Sequence, residues 1–235
     1  MSRLNGRTGN NIGGNTMPYH FEYVSKKSKV VKSAYQNLIE IIKQTQNELR
    51  NVFSFQFRIV GSYSRNMMTY DPKSNKGFDF DVNIYPNIDG NMLSPQKIKE
   101  SLIHAINKYA KSFGYSPAEN STRVITIKVK DTENSKIKHS VDFAIVNNYI
   151  DDDGHECQRY IKINKKSNQY EWQEQDDGFY ELDEKIEWIK DEGLWDELRR
   201  MYLFRKNNNN DKNKHSRSLF AEAVNNICNE YGYYD

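Results

Sequence analysis

Asp79 and Asp81 stand two positions apart in Gly77-Phe78-Asp79-Phe80-Asp81-Val82-Asn83-Ile84, where apolar and polar side chains alternate. Alternation of this kind is the mark of a β-strand, and residues two apart on a strand project from the same face. Two carboxylates therefore sit side by side, while Phe78, Phe80 and Val82 turn to the opposite face. Neighbouring carboxylates repel, so ionising both is costly unless a cation compensates. Magnesium suits the pair: it is hard, prefers oxygen, and is usually held by one or two carboxylates together with phosphate oxygens. A third acid, Asp142, lies in Ser140-Val141-Asp142-Phe143-Ala144-Ile145-Val146. A lone charge in so apolar a strand costs several kcal/mol unless it is paired. Three such acids on neighbouring strands could bridge two ions about 3.5 to 4 Å apart, with manganese an alternative to magnesium.

The second stretch with chemical content is Ile59-Val60-Gly61-Ser62-Tyr63-Ser64-Arg65. A strand ending in Gly-Ser exposes backbone N–H groups in a tight turn, glycine permits close approach, and a serine hydroxyl can donate to a phosphate oxygen. Each piece also has an ordinary reading. Asp79 and Asp81 could be the solvent face of an amphipathic strand, Gly61-Ser62 a simple turn, and Asp142 the partner of a nearby basic residue. Their occurrence together, in this order and each at a strand, favours the functional reading.

The elements that must carry these residues follow from periodicity. Helical spacing runs from about Phe21 to Arg50, with Val31, Ala34, Leu38, Ile41, Ile42, Thr45 and Leu49 on one stripe. Phe53 to Ile59 alternates as a strand leading into Gly61, and Phe78 to Tyr85 forms the next. Ser94 can cap a helix with Pro95 at its first position; its stripe is Ile98, Leu102, Ala105, Ile106, Tyr109 and Phe113, and Gly114 stops it. Strands are expected at Arg123 to Lys130, at about Ser140 to Val146, and at Arg159 to Ile163. Helices are expected at about Asp183 to Lys190, Leu194 to Phe204 and Ser218 to Tyr231. The order predicts an α+β fold: a mixed β-sheet core over residues 19–165 flanked by helices, a helical C-terminal region over 166–235, and a flexible Gly- and Asn-rich arm over 1–18.

Composition narrows the classes. The 235 residues include 16 Tyr, 11 Phe and 3 Trp, which argues for a folded domain despite a mean hydropathy of −0.91. No apolar run approaches the roughly 18 to 20 residues needed to span a bilayer, and no signal-peptide core is evident, so a cytoplasmic protein without membrane contact is expected. Cys157 and Cys228 cannot build a disulfide framework. His155 and Cys157 could supply two metal ligands, whereas structural zinc needs four. Net charge is only +2, but Arg199 to Arg217 carries seven Lys or Arg against one Asp. Such a stretch could face an anionic ligand or simply be a solvated helix and loop.

An apolar strand, Gly-Ser, a D-x-D strand and a later third acid together resemble the polymerase beta-like nucleotidyltransferases. Tyr63 after Gly61-Ser62 makes the segment more similar to the branch of oligoadenylate synthases, cyclic GMP-AMP synthase and their bacterial relatives. The resemblance covers about Val31 to Val146. It implies that Asp79 and Asp81 hold both metals, that Asp142 completes one site and takes the acceptor proton, and that Gly61 and Ser62 cradle the triphosphate. It also implies a Lys or Arg from the C-terminal helices on the phosphates, with Arg205, Lys206 and Arg65 as candidates. Ser64 and Thr69 compete for the hydroxyl that the family carries after its Gly-Ser turn. The synthases are usually longer than this chain. The expected activity is magnesium-dependent transfer of a nucleoside monophosphate from a nucleoside triphosphate to an acceptor hydroxyl. The acceptor is left open among nucleotide, RNA, protein and small molecule, and the base-stacking aromatic among Tyr63, Tyr160, Tyr180 and Tyr202. The alternative is a non-catalytic nucleotide-binding or interaction module with the same fold.

Overall fold

The computed structural model describes residues 18–88, 93–211 and 213–233, and all but two of their side chains, those of Asp177 and Tyr180. The arm expected at the N-terminus lies, up to residue 17, outside the described residues, as does the Tyr180 side chain.

The architecture is α+β, as the alternation of periods implies. A short strand β1 (Glu22–Tyr23) precedes α1 (Lys29–Leu49) and β2 (Phe55–Val60). The four-residue helix α2 (Gly61–Ser64), β3 (Thr69–Tyr70), β4 (Phe78–Pro86) and α3 (Pro95–Ala110) follow. Next come β5 (Glu119–Asn120), β6 (Val124–Asp131), β7 (Lys136–Ile150), β8 (Glu156–Asn164) and β9 (Gln169–Glu174). Three helices close the chain: α4 (Asp177–Asp191), α5 (Trp195–Asn207) and α6 (Ser216–Tyr231). The sheet runs β2-β4-β7-β6-β5, with β8 on β7 and β9 on β8. It is mixed because β4 and β7 are parallel while the other pairings are antiparallel.

The α1 stripe read from spacing is the buried one, all seven residues included. Ser28 caps this helix, so the segment from Phe21 onward is not helical as the periodicity suggests. Glu22 and Tyr23 instead pair with Tyr70 and Thr69. On α3, Ser94 Oγ accepts from the Lys97 N–H at 3.2 Å, Pro95 takes the first position, and Gly114 ends the segment at φ +81°. Both helices cover the apolar face of the sheet, where Phe80, Val82, Ile84, Val141 and Phe143 are at most 1% exposed. A second core joins α4, α5 and α6 through Ile189, Leu198, Ala223 and Val224, and Met67 from the loop after α2 belongs to it. No described helix is long and apolar enough to cross a membrane.

Strand β9 is not anticipated by the pattern. Its sequence QYEWQE offers only Tyr170 and Trp172 as apolar residues, and its order comes from pairing with β8. Helix α4 also starts about six residues earlier than the spacing suggests, after Asp176.

Candidate active site

Register turns one sheet face into a grid. Asp79 is the cross-strand partner of Ser140, which faces Lys128; Asp81 is the partner of Asp142, which faces Thr126. Asn83, Ala144 and Val124 form the next row. Strand alternation makes all of these point away from the helix-covered core. Asp142, distant in sequence from Asp79 and Asp81, is therefore their neighbour on one face.

The turn after β2 meets this grid from the side. Val60 pairs with Asp81, and the chain then turns at Gly61 with φ +66°. A Cβ at Gly61 would lie 2.0 Å from Asp81 Oδ2, so glycine is required both for the backbone conformation and for the approach to the carboxylate. The Ser62 N–H donates to Asp81. Ser64 Oγ donates to the Gly61 carbonyl at 2.9 Å and so closes the short helix rather than facing the grid. The Tyr63 ring stacks on Tyr35, 5.3 Å between centroids, and packs on Phe80, which leaves it a core-facing role.

Electrostatics agree with a site built for positive charge. Burial raises the Asp81 pKa to about 6, and the Asp79 and Asp142 charges push the same way, against Arg65 and the Ser62 N–H. Burial also raises Asp79, opposed by the Ser140 hydroxyl, and Asp142, opposed by the Thr126 hydroxyl. Asp79 keeps an exposed surface, and Asp81 and Asp142 are partly exposed. Ser140 Oγ donates to Asp79 Oδ1, and Thr126 Oγ1 to Asp142 Oδ1 at 2.5 Å.

The basic candidates separate. Lys206 is 7% exposed, and its ammonium donates to Thr69 Oγ1 at 2.7 Å and lies 4.3 Å from the Phe21 ring. Burial lowers its pKa to about 8, while Asp79 pulls it upward. Arg65 stacks on Phe220 with its guanidinium carbon 4.2 Å from the ring centroid, feels the Asp81 charge, and keeps a buried Nε with no hydrogen-bond partner. Arg205 turns elsewhere: it pairs with Glu222 on α6 at 2.8 Å and borders an open groove of about 340 Å³ whose lining includes none of the three acids. Of the aromatics left open, Tyr160 lies beneath the Arg123 guanidinium at 4.8 Å and Tyr202 beneath Lys206 at 5.5 Å.

Among the described residues, one set of His, Cys, Asp or Glu places its ligand atoms all within 4.8 Å of one another. It is Asp151, Asp153 and His155 at the β7–β8 hairpin, and the latter two are exposed. The three sheet acids thus stand side by side without closing into one coordination sphere. Magnesium is compatible with that, since one or two carboxylates commonly hold it and phosphate and water oxygens complete the shell. The donors fit the ion: hard oxygens, adjacent, and approached by a glycine turn that leaves no Cβ in the way.

Pattern reading missed Ser140 and Thr126. Both are strand residues on the acid face, and only the cross-strand register reveals that they touch Asp79 and Asp142.

No protein-family model matches the chain, and no curated protein matches it. Solved structures do. The chain is similar to a STING-associated CdnE c-di-GMP synthase from Capnocytophaga granulosa, with 19% identity over 88% of this chain and 62% of that one, at a TM-score of 0.53. It is similar to the Elizabethkingia meningoseptica CdnE cyclic dinucleotide synthase solved with GTP and Apcpp, with 13% identity over 86% and 70%, at a TM-score of 0.51. The GTP-bound Vibrio cholerae DncV gives 18% identity over 81% and 51%, also at 0.51. The chain therefore shares the fold of these synthases and spans between about half and 70% of their length.

Proposed function

We propose that the chain is a divalent-metal-dependent nucleotidyltransferase that moves a nucleoside monophosphate from a nucleoside triphosphate to an acceptor hydroxyl. One observation carries the reading: three carboxylates stand adjacent on one sheet face without an ion-pair partner among the described residues, and Asp81 among them meets the Gly61–Ser62 turn. The likeness to synthases solved with GTP supports a triphosphate as donor.

Asp79 and Asp81 would hold magnesium or manganese, and Asp142 would complete one site. The bound metal would supply charge that activates the acceptor oxygen and steadies the departing pyrophosphate. The acceptor oxygen attacks the α-phosphorus, the bond to the β-phosphate oxygen breaks, and pyrophosphate leaves. Asp142 accepts the hydroxyl proton and passes it to solvent. The Gly61–Ser62 turn and the Lys206 and Arg65 charges hold the phosphates, so the protein contributes mainly positioning and electrostatic stabilisation. The reaction suits the cytoplasm, where triphosphates are plentiful. As the finer reading, the acceptor is a second nucleotide, which is the chemistry the similar synthases are named for.

Incubation with labelled ATP and GTP plus magnesium, without added acceptor, tests this directly. The expected result is new small labelled products and pyrophosphate, both lost in Asp79→Ala. In a parallel incubation with added RNA or protein, label appearing only on that macromolecule would keep the transferase and overturn the nucleotide acceptor. Absence of any transfer, with ATP affinity equal in Asp79→Ala and the unaltered chain, would overturn the enzyme reading in favour of a binding module.

A further inference from the structure

Each of the three carboxylates is held by a neutral donor. The Ser140 hydroxyl serves Asp79, the Thr126 hydroxyl serves Asp142, and the Ser62 N–H serves Asp81. Of the nearby cations, Lys128, beside Ser140 in the grid, binds Glu119 at 2.7 Å, and Lys206 and Arg65 act on Asp79 and Asp81 through space without an ion pair among the described residues. Ser140 and Thr126 are each only 8% exposed, so their hydroxyls have few alternatives to the carboxylate they meet.

The choice of donor has a physical consequence. A lysine or arginine would orient a carboxylate equally well, but it would also neutralise the charge a metal needs. A hydroxyl fixes one oxygen, adds no charge of its own to neutralise the carboxylate, and leaves the second oxygen for an ion. Strand register puts each hydroxyl directly opposite its acid, at Asp79–Ser140 and at Asp142–Thr126. The backbone itself thereby sets the orientation.

We infer that Ser140 and Thr126 are positioning residues that orient Asp79 and Asp142 toward a divalent cation. This rests on the metal reading proposed above. Hydrogen-bond partners of ligating side chains typically contribute about 10- to 100-fold in metal affinity.

Binding of Mn²⁺ to the full chain, without nucleotide, is read from the loss of the free-ion electron paramagnetic resonance signal. Ser140→Ala and Thr126→Val are each expected to weaken Mn²⁺ binding about 10-fold or more, while Thr126→Ser and Ser140→Thr bind close to the unaltered chain. Circular dichroism melts accompany each variant. The conservative pair keeps the hydroxyl, so it separates lost orientation from lost packing should Thr126→Val fold poorly. Mn²⁺ binding by Ser140→Ala and Thr126→Val as tight as that of the unaltered chain overturns the inference alone. So does a Thr126→Ser as weak as Thr126→Val. An unaltered chain that binds no Mn²⁺, or an Asp79→Ala that binds it undiminished, overturns the metal reading and the inference with it.

Discussion

Gly61→Ala should slow transfer on the order of 10²-fold, through a collision whose size the structure gives. Gly61 has φ +66°, and a Cβ placed there lies 2.0 Å from Asp81 Oδ2, 2.8 Å from its Cγ and 3.0 Å from its Cβ. Side-chain carbons do not approach heavy atoms closer than about 3 Å, so the carboxylate must swing by about 1 Å or the turn must move as far. A displacement of about 1 Å at a reacting centre costs on the order of 10²-fold in rate. The left-handed backbone adds a conformational penalty of about 1–2 kcal/mol for any L-residue, which lowers the melting temperature by about 2–4 °C per kcal/mol in a chain of this size. Gly114 separates the two effects. It has φ +81°, yet a Cβ there meets nothing within 4 Å. Gly114→Ala should therefore share the thermal loss while keeping pyrophosphate release and Mn²⁺ binding. Pyrophosphate release from ATP and GTP, Mn²⁺ titration and thermal melts are measured on both variants. Transfer by Gly61→Ala at the unaltered rate would refute the reasoning, and so would an equal loss of transfer in Gly114→Ala.

Asp81→Asn should gain stability as it loses catalysis. Because folding raises the Asp81 pKa to about 6, the folded chain binds that proton more tightly than the unfolded one. The unaltered protein therefore loses stability relative to Asp81→Asn as pH rises from about 4 to 6, by roughly 1.4 kcal/mol per unit, and the gap stays level above that window. Melts in chelator measure it, and a gap independent of pH would refute the assignment. His139, whose pKa burial lowers to about 4, acts in the opposite sense: it costs stability as pH falls below its unfolded value near 6.5. Both proteins carry it, so it cancels in the difference. Lys206→Met should weaken calorimetric binding of a non-hydrolysable triphosphate about 10-fold or more, in line with a lost charge-assisted contact, whereas Arg205→Ala should leave it unchanged. Equal losses in the two would reject the separation of these neighbours. Phe220→Ala should lower the same affinity with Arg65 intact, because it removes the ring on which that guanidinium rests; unaltered affinity would show that Arg65 needs no such support.

Period carried most of what could be read without coordinates. The α1 stripe, the Phe78–Ile84 alternation and the Ser94–Pro95 start are local, and each is set by residues within a turn or two of itself. The pairings that assemble the site are not local. Nothing in the spacing of Thr126 and Asp142, or of Asp79 and Ser140, says that they are cross-strand partners, because register is fixed by the whole sheet. Strand β9 was illegible for the same reason: a polar six-residue segment becomes a strand only because β8 offers it an edge. The choice between Arg205 and Lys206 was within reach, however. Leu198, Tyr202 and Lys206 recur at four-residue steps and form the buried stripe of α5, and Arg205 lies one position off it. A lysine on an apolar stripe is the residue that the fold turns inward, here toward Asp79.

The same alternation that exposes the acids also anchors them. Phe80, with no exposed surface, sits between Asp79 and Asp81, and Phe143, 1% exposed, follows Asp142. Each carboxylate is thus fastened at its backbone by a large side chain locked into the α1–α3 core on the other face. Burial makes every one of these acids harder to ionise, so the row of charges opposes folding. The core must outweigh it. Slipping β4 by one residue against β7 would bury Asp79 and Asp81 and expose Phe80 and Val82, losing core packing and desolvating two charges at once. Register is therefore strongly enforced at the strands that carry the three acids. The electrostatic cost of the site is tolerated because the residues that impose it alternate with the ones that pack best.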